Sequence, residues 1–334
     1  MRGYRHPPIP APAHSPPTKI SIPPPRFPVN PEPESLGAPV LSFDRTVPRR
    51  LVHRRSTSEV LPTDFVRWGE HEYIAALQWP RRHGYFEPEL PGSALVTETV
   101  RQLTILACHE GFGVPLEHRF LMTGLGFALL RTPLAARAGS AAELHATVRA
   151  TRLVRTPGGA FRSARFEISI SEPTGGAVAA GHGDALVVGP AAYARLRGER
   201  AGTTPPLRRR GPLVPAAAVG RRLEQDVLLV DGDGALTLDV DRRHPVFYDH
   251  LLDHVPGAAL IEACRQAARL EAADPRLELG RFEGEFDRIV EYDPPATVHA
   301  TIRREQAAFE IRQGRRVAMR AEATLVSAGV PASR

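Results

Sequence analysis

Apolar residues recur along this chain with two distinct periods. From 144 to 150, Leu144, Ala146, Val148 and Ala150 alternate with His145, Thr147 and Arg149, which predicts a strand with one buried face. Phe166, Ile168 and Ile170 alternate in the same way, Pro173–Gly176 marks a turn, and 177–188 returns as a further strand. Residues 73–77 and 120–130 read as two more strands. Between these, 94–110 carries a helical pattern that stops at Gly111 and Gly113. One long helix among antiparallel strands is an α+β unit.

The second half repeats the first. Val219-Gly220-Arg221-Arg222 echoes Val52-His53-Arg54-Arg55, and Arg242-Arg243-His244 echoes Arg81-Arg82-His83. A second helix follows Pro256-Gly257 and is stopped by Asp274-Pro275. His299–Arg303 then answers His145–Arg149, Phe309-Glu310-Ile311 answers Phe166-Glu167-Ile168, and 317–326 closes as a last strand. Landmarks in the same order establish an internal duplication. The chain divides into a proline-rich tail (1–47), a first repeat (48–197), a linker (198–218) containing Arg208-Arg209-Arg210, and a second repeat (219–330). Thirteen of the 33 prolines lie in residues 1–40, so the tail is expected to be disordered.

The candidate chemistry lies on the two helices. In the second, Leu260, Ile261, Cys264, Ala267 and Ala268 form an apolar face, while Glu262, Arg265 and Gln266 project together at i, i+3 and i+4. Glu98, Arg101 and Gln102 repeat that trio after Pro91-Gly92. A single Glu–Arg pair at this spacing is ordinarily a half-buried ion pair; its duplication shifts the reading towards function. Either glutamate is a candidate base, and either arginine a candidate anion clamp. Backbone N–H groups after Pro91-Gly92 or Pro256-Gly257 are candidate oxyanion donors. The spacing differs: Pro-Gly precedes Glu98 by seven residues and Glu262 by six, counted from the proline, so the two sites need not be equivalent.

Composition removes several alternatives. A net charge of +6 comes almost wholly from scattered arginine, Lys19 being the one lysine, which argues against a nucleic-acid stripe. Two cysteines, no apolar signal-peptide core and no run of membrane-spanning length predict a cytoplasmic protein without a membrane partner. Cys264 falls on the apolar helix face and is read as core. His83, His244, His250 and His254 precede the helices; His250 and His254 are four apart, but the following Pro-Gly makes a helical metal pair improbable, and no metal is expected. Asp231-Gly232-Asp233-Gly234 reads as a hairpin turn and not a calcium loop. No phosphate-binding glycine loop or dinucleotide fingerprint is present.

The second helix resembles the hotdog fold of acyl-carrier-protein dehydratases, in the order His254, Pro256-Gly257, Leu260-Ile261, Glu262, Gln266. Residues 78–83, 97–102, 113–116 and 250–266 together are similar to a narrower group, the A-factor biosynthesis hotdog family, over roughly 51–330. That resemblance implies a tandem double hotdog, each repeat a long central helix wrapped by an antiparallel sheet. It implies an acyltransferase that condenses a β-ketoacyl thioester, on acyl-carrier protein or coenzyme A, with dihydroxyacetone phosphate to make a γ-butyrolactone signal precursor. Glu98, Glu262, Arg265 and His254 are then the expected catalytic residues, with the balance towards Glu262. Arg101, Gln102, Gln266, Gly92 and Gly257 are the expected substrate contacts. No bound cofactor is expected, since the substrate brings its own phosphopantetheine. The chain is expected to be a monomer with pseudo-dimeric repeats, or a homodimer. A hotdog thioesterase or dehydratase, a non-catalytic acyl-ligand sensor and a DNA-binding regulator remain the alternatives.

Overall fold

A computed structural model describes residues 39–86, 92–131, 140–204, 211–232 and 234–327. Most of the proline-rich tail, Pro91, the Arg208–Arg210 cluster and Asp233 lie outside the described residues. In the first repeat, β1 (Pro62–Arg67) and β2 (Glu72–Trp79) precede α1 (Ser93–Leu106). After it come β3 (Arg119–Leu129), β4 (Ala142–Arg155), β5 (Phe161–Ser171), β6 (Ala177–Val188) and a short helix, α2 (Pro190–Arg197). The second repeat runs β7 (Leu229–Gly232), β8 (Ala235–Leu238), α3 (Gly257–Glu271), β9 (Leu277–Phe286), β10 (Ala296–Arg303), β11 (Gln306–Gln313) and β12 (Arg316–Ser327).

The strands form one twelve-stranded sheet in the order β1-β2-β4-β5-β6-β3-β9-β12-β11-β10-β8-β7. Read from the middle outwards, β3-β6-β5-β4-β2-β1 matches β9-β12-β11-β10-β8-β7 strand for strand. The halves are therefore related by a pseudo-twofold at the antiparallel β3–β9 pair, where Phe127 stands opposite Phe282 and the two rings stack 5.6 Å apart. This is the tandem double hotdog that the family resemblance implies.

Local sequence explains the central position of the helices. The inward faces of β4 and β5 alternate buried and half-buried residues along their length, as the period-two pattern requires. Glycine on β6 lets α1 lie close against the sheet: a side chain at Gly183 would collide with Thr104. α1 ends at Leu106 and continues as one π-helical turn, Ala107–Gly111, before Gly113 turns left-handed at φ 66°. β7 and β8 pair as the expected hairpin around 231–234. Three elements went unread in the sequence: the short edge strand β1, the glycine-interrupted strand β9, and α2, which opens at Pro190 just after what reads as a strand.

Candidate active site

Each central helix carries one buried charge cluster, and the two clusters are built alike. Glu98 Oε1 accepts from Arg54 Nε and Arg101 Nη2, both at 3.1 Å, and from Gln102 Nε2 at 2.5 Å, and its Oε2 accepts from Arg101 Nε at 3.0 Å. Glu262 Oε1 accepts from Arg221 Nε at 2.9 Å and Gln266 Nε2 at 2.7 Å, and its Oε2 from Arg265 Nε at 2.8 Å. Both glutamines also serve the backbone. Gln102 takes the Leu61 N–H and donates to Glu59 O, and Gln266 takes the Leu228 N–H and donates to Asp226 O. The second arginine of each cluster crosses to the other repeat: Arg54 Nη1 donates to Val246 O at 2.5 Å and Arg221 Nη1 to Tyr85 O at 2.9 Å.

This geometry argues against either glutamate as the base. Burial alone would raise the Glu98 carboxyl, but Arg101 and Arg54 outweigh it and hold the group at about 2. Glu262 is likewise held at about 2, by Arg221 and Arg265 against its burial. A carboxylate with both oxygens engaged by guanidinium and amide donors has little affinity for another proton. Glu98 and Glu262 are counterions that orient arginines, and Gln102 and Gln266 pin helix to loop.

The clusters differ at one place. Arg265 donates from Nη1 to Glu278 Oε2 on β9 at 2.9 Å, and its side chain is 3% exposed. Arg101 makes its bonds through Nε and Nη2, the latter also to Val52 O at 3.2 Å; among the described residues its Nη1 has no acceptor, and its side chain is 19% exposed. Arg101 opens into a cavity of about 550 Å³ between α1, β3 and the 246–260 segment that leads into α3. Of the residues expected from the sequence, Glu98, Arg101, His254 and Gly257 line this cavity; Glu262, Arg265, Gln102, Gln266 and Gly92 do not. The balance towards Glu262 is thus not matched by the cavity, which lies on the Glu98 side.

Three cavity groups, Asp253, Tyr193 and Arg119, were missed by sequence reasoning; they gather about His254, which was expected. His254 Nδ1 lies 2.7 Å from Asp253 Oδ1; a carboxylate only accepts, so Nδ1 carries the hydrogen, and in the neutral tautomer that this selects Nε2 has the lone pair. Asp253 is itself fixed by Tyr193 Oη at 2.7 Å and Arg197 Nε at 3.2 Å, both from α2; against the effect of burial, the His254 hydrogen bond first and then these contacts hold its carboxyl far below the usual range. Arg119 of β3 also lines the cavity and stacks over the Tyr193 ring at 5.9 Å. The sequence did contain a signal: Asp249-His250-Leu251-Leu252-Asp253-His254 repeats an Asp-His dipeptide. Only the second copy forms a dyad. Asp249 is occupied by the Arg55 and Ser56 N–H groups, and it lies 3.7 Å from His250 Nδ1. Burial, with Arg101 and Arg54 nearby, keeps the His250 imidazole neutral down to about 4; burial and His109 keep His53 neutral down to about 3. His83 and His244 take loop roles, each accepting two backbone N–H groups on Nδ1.

At its amino end α3 begins at Gly257, where a side chain would collide with Met122 Cε of β3. The first intrahelical bonds run from Ala259 and Leu260 to Pro256 O, so Gly257 and Ala258, which both line the cavity, have N–H groups without a helical acceptor.

The profile of the A-factor biosynthesis hotdog domain matches residues 38–188 and 203–332, one match for each repeat. The chain belongs to this family. Among its relatives, a 2-oxo-3-(phosphooxy)propyl 3-oxoalkanoate synthase of Streptomyces virginiae is 39% identical over 263 residues, covering 76% of this chain and 87% of the relative. Proteins of the same name from Streptomyces coelicolor and Streptomyces griseus are 32% and 31% identical, each covered over 84% of its length. The family's two hotdog domains correspond to the two halves of the sheet. Among the described residues no helix is long and apolar enough to cross a membrane, and no group of three His, Cys, Asp or Glu side chains could hold a metal ion.

Proposed function

We propose that the chain is the acyltransferase of its family: it condenses a β-ketoacyl thioester with dihydroxyacetone phosphate to give the 2-oxo-3-(phosphooxy)propyl 3-oxoalkanoate precursor of a γ-butyrolactone signal. The observation that carries this reading is the convergence, on one cavity, of a His–Asp dyad, an arginine with an open side and a free helix amino end. Identities of 31–39% to synthases of that name, over most of both chains, support it.

In this reading the thioester carbonyl oxygen points at the Gly257 and Ala258 N–H groups, which stabilise the oxyanion as it forms. The acceptor's phosphate is drawn to the Arg101 and Arg119 side. His254 Nε2 takes the proton of the acceptor hydroxyl, whose oxygen forms the new bond to the carbonyl carbon. Collapse of the tetrahedral intermediate breaks the C–S bond, and the proton passes from His254 to the departing pantetheine thiolate. Met122, Leu125, Leu260, Phe286 and Val290 give the acyl chain an apolar wall. The thiol arm belongs to the substrate, on carrier protein or coenzyme A, and no further cofactor takes part. Glu98 keeps Arg54 and Arg101 in place.

The test is mass spectrometry of the purified protein with a β-ketoacyl thioester, with and without dihydroxyacetone phosphate. A phosphorylated ester that requires both substrates is the expected result. Free β-keto acid in both reactions would instead make the protein a thioesterase, and an unchanged thioester across several chain lengths would make it a binding protein.

A further inference from the structure

The pseudo-twofold allows one repeat to be read as a record of the other's ligand. β3 and β9 each carry one bulge, where register shifts between Met122 and Gly124 in β3 and between Leu279 and Arg281 in β9. Counted from the bulged residues, Thr123 and Gly280, Leu121 corresponds to Glu278. The surroundings agree. Glu278 accepts from Ser93 Oγ at 2.5 Å and Arg265 Nη1 at 2.9 Å, and it lies 3.8 Å from Arg269 Nη2. Ser93 and Ala258 each follow the Pro-Gly glycine, and the two Glu-x-x-Arg-Gln runs match Arg265 to Arg101 and Arg269 to Ile105. Ala258, Arg101 and Ile105 all line the cavity, together with Leu121.

The two environments therefore differ at two charged positions: the second repeat has Glu278 and Arg269 where the first has Leu121 and Ile105. In the second repeat a strand carboxylate closes the open side of the helix arginine. In the first, the strand supplies leucine, the space is open, and among the described residues Glu98 is the one carboxylate within ion-pair distance of Arg54 and Arg101, with Asp249 acting on Arg101 from farther off. A partly buried guanidinium in that position is satisfied by an anion of the ligand. We propose that the phosphate of dihydroxyacetone phosphate lies beside Arg101 and over Leu121, in the place that the Glu278 carboxylate fills beside Arg265. The identity of this anion rests on the acyltransferase reading above. Its corollary is that the second helix site is closed by its own carboxylate, so Glu98, Arg101 and His254 belong to the working site, while Glu262 and Arg265 have a structural role.

Leu121→Glu tests this, with Leu121→Gln as the uncharged variant of equal length. Binding of dihydroxyacetone phosphate, inorganic phosphate, coenzyme A and pantetheine is followed by calorimetry on the full chain. L121E is expected to weaken dihydroxyacetone phosphate at least about tenfold, the equivalent of about 1.4 kcal/mol, and to weaken inorganic phosphate with it. L121Q loses less. Unligated L121E melts no lower than the parent, because the new carboxylate meets Arg101. Equal loss in L121E and L121Q would overturn the proposal. So would a loss confined to coenzyme A and absent for pantetheine, which would assign the phosphate to the thiol arm. The two readings fail separately: phosphate binding abolished by L121E in a protein that forms no ester leaves the anion site standing, whereas undiminished ester formation by L121E removes the site and leaves the acyltransferase.

Discussion

Among individual residues, the decisive contrast is between carboxylates that are saturated and one that orients a base. Glu98 and Glu262 accept from arginine and glutamine on both oxygens, whereas Asp253 leaves His254 Nε2 free to work. His254→Ala is accordingly expected to lower kcat of ester formation by roughly 10²–10⁴, the usual worth of a positioned general base. Asp253→Asn should lower kcat with KM for the thioester little changed, because an amide can hold the wrong tautomer while the pocket stays intact. Wild-type kcat in either variant would remove the dyad from the mechanism. The cysteines should be silent: burial pushes both the Cys108 and Cys264 thiols well up, so neither should react with a thiol reagent until the protein is unfolded in denaturant. The helix trios and the core placement of Cys264 were legible from spacing alone. The proposed base was not, because choosing among His250, His254 and two glutamates requires knowing which lone pairs are already used.

For the helices and strands, the same amphipathic pattern yields two different outcomes because each helix meets a different strand. α1 and α3 present the same Glu, Arg and Gln, but β9 brings Glu278 to Arg265 and β3 brings Leu121 towards Arg101. Nothing within either helix reveals this, and β9 itself drew no signal, since Gly280 and Gly284 interrupt its alternation. Arg54 and Arg221 were visible as echoes between the halves, yet their partners lie 44 and 41 residues away along the chain. Removing the closing carboxylate should be costly: Glu278→Ala leaves Arg265 buried without its strand partner, and a loss of about 3–5 kcal/mol is expected for breaking one side of a buried pair. Urea unfolding measures it. A loss below 1 kcal/mol would show that Glu262 alone suffices for Arg265. Gly257→Ala tests the other contact between α3 and β3, since its methyl meets Met122; shortening the partner in Gly257→Ala/Met122→Ala should recover part of the lost stability.

At the scale of the whole molecule, the halves are tied by the β3–β9 ladder and by two arginines that cross between repeats, so they should unfold as one cooperative unit. The pH dependence of that transition follows from groups near the seam. His53 and His250 are kept neutral in the folded protein, at about 3 and about 4, mainly by burial, whereas in the unfolded chain both take up a proton near 6.5. Between those values the unfolded state binds more protons, so stability is full above about 6.5 and falls as pH drops towards 4. The carboxyls act lower: Glu98 and Glu262, held at about 2 against an ordinary 4.5, contribute stability that is complete above 4.5 and lost as pH falls through 2. The urea midpoint should therefore begin to fall near pH 6.5, well above the range where carboxylates alone would act, and fall further below pH 4.5. Replacing His53 and His250 with glutamine should flatten the upper part of the curve and leave the lower part in place. A midpoint constant from pH 7 to 5 in the parent would mean that these imidazoles are not held neutral, and that the cavity floor carries charge of its own when the substrate's anion arrives.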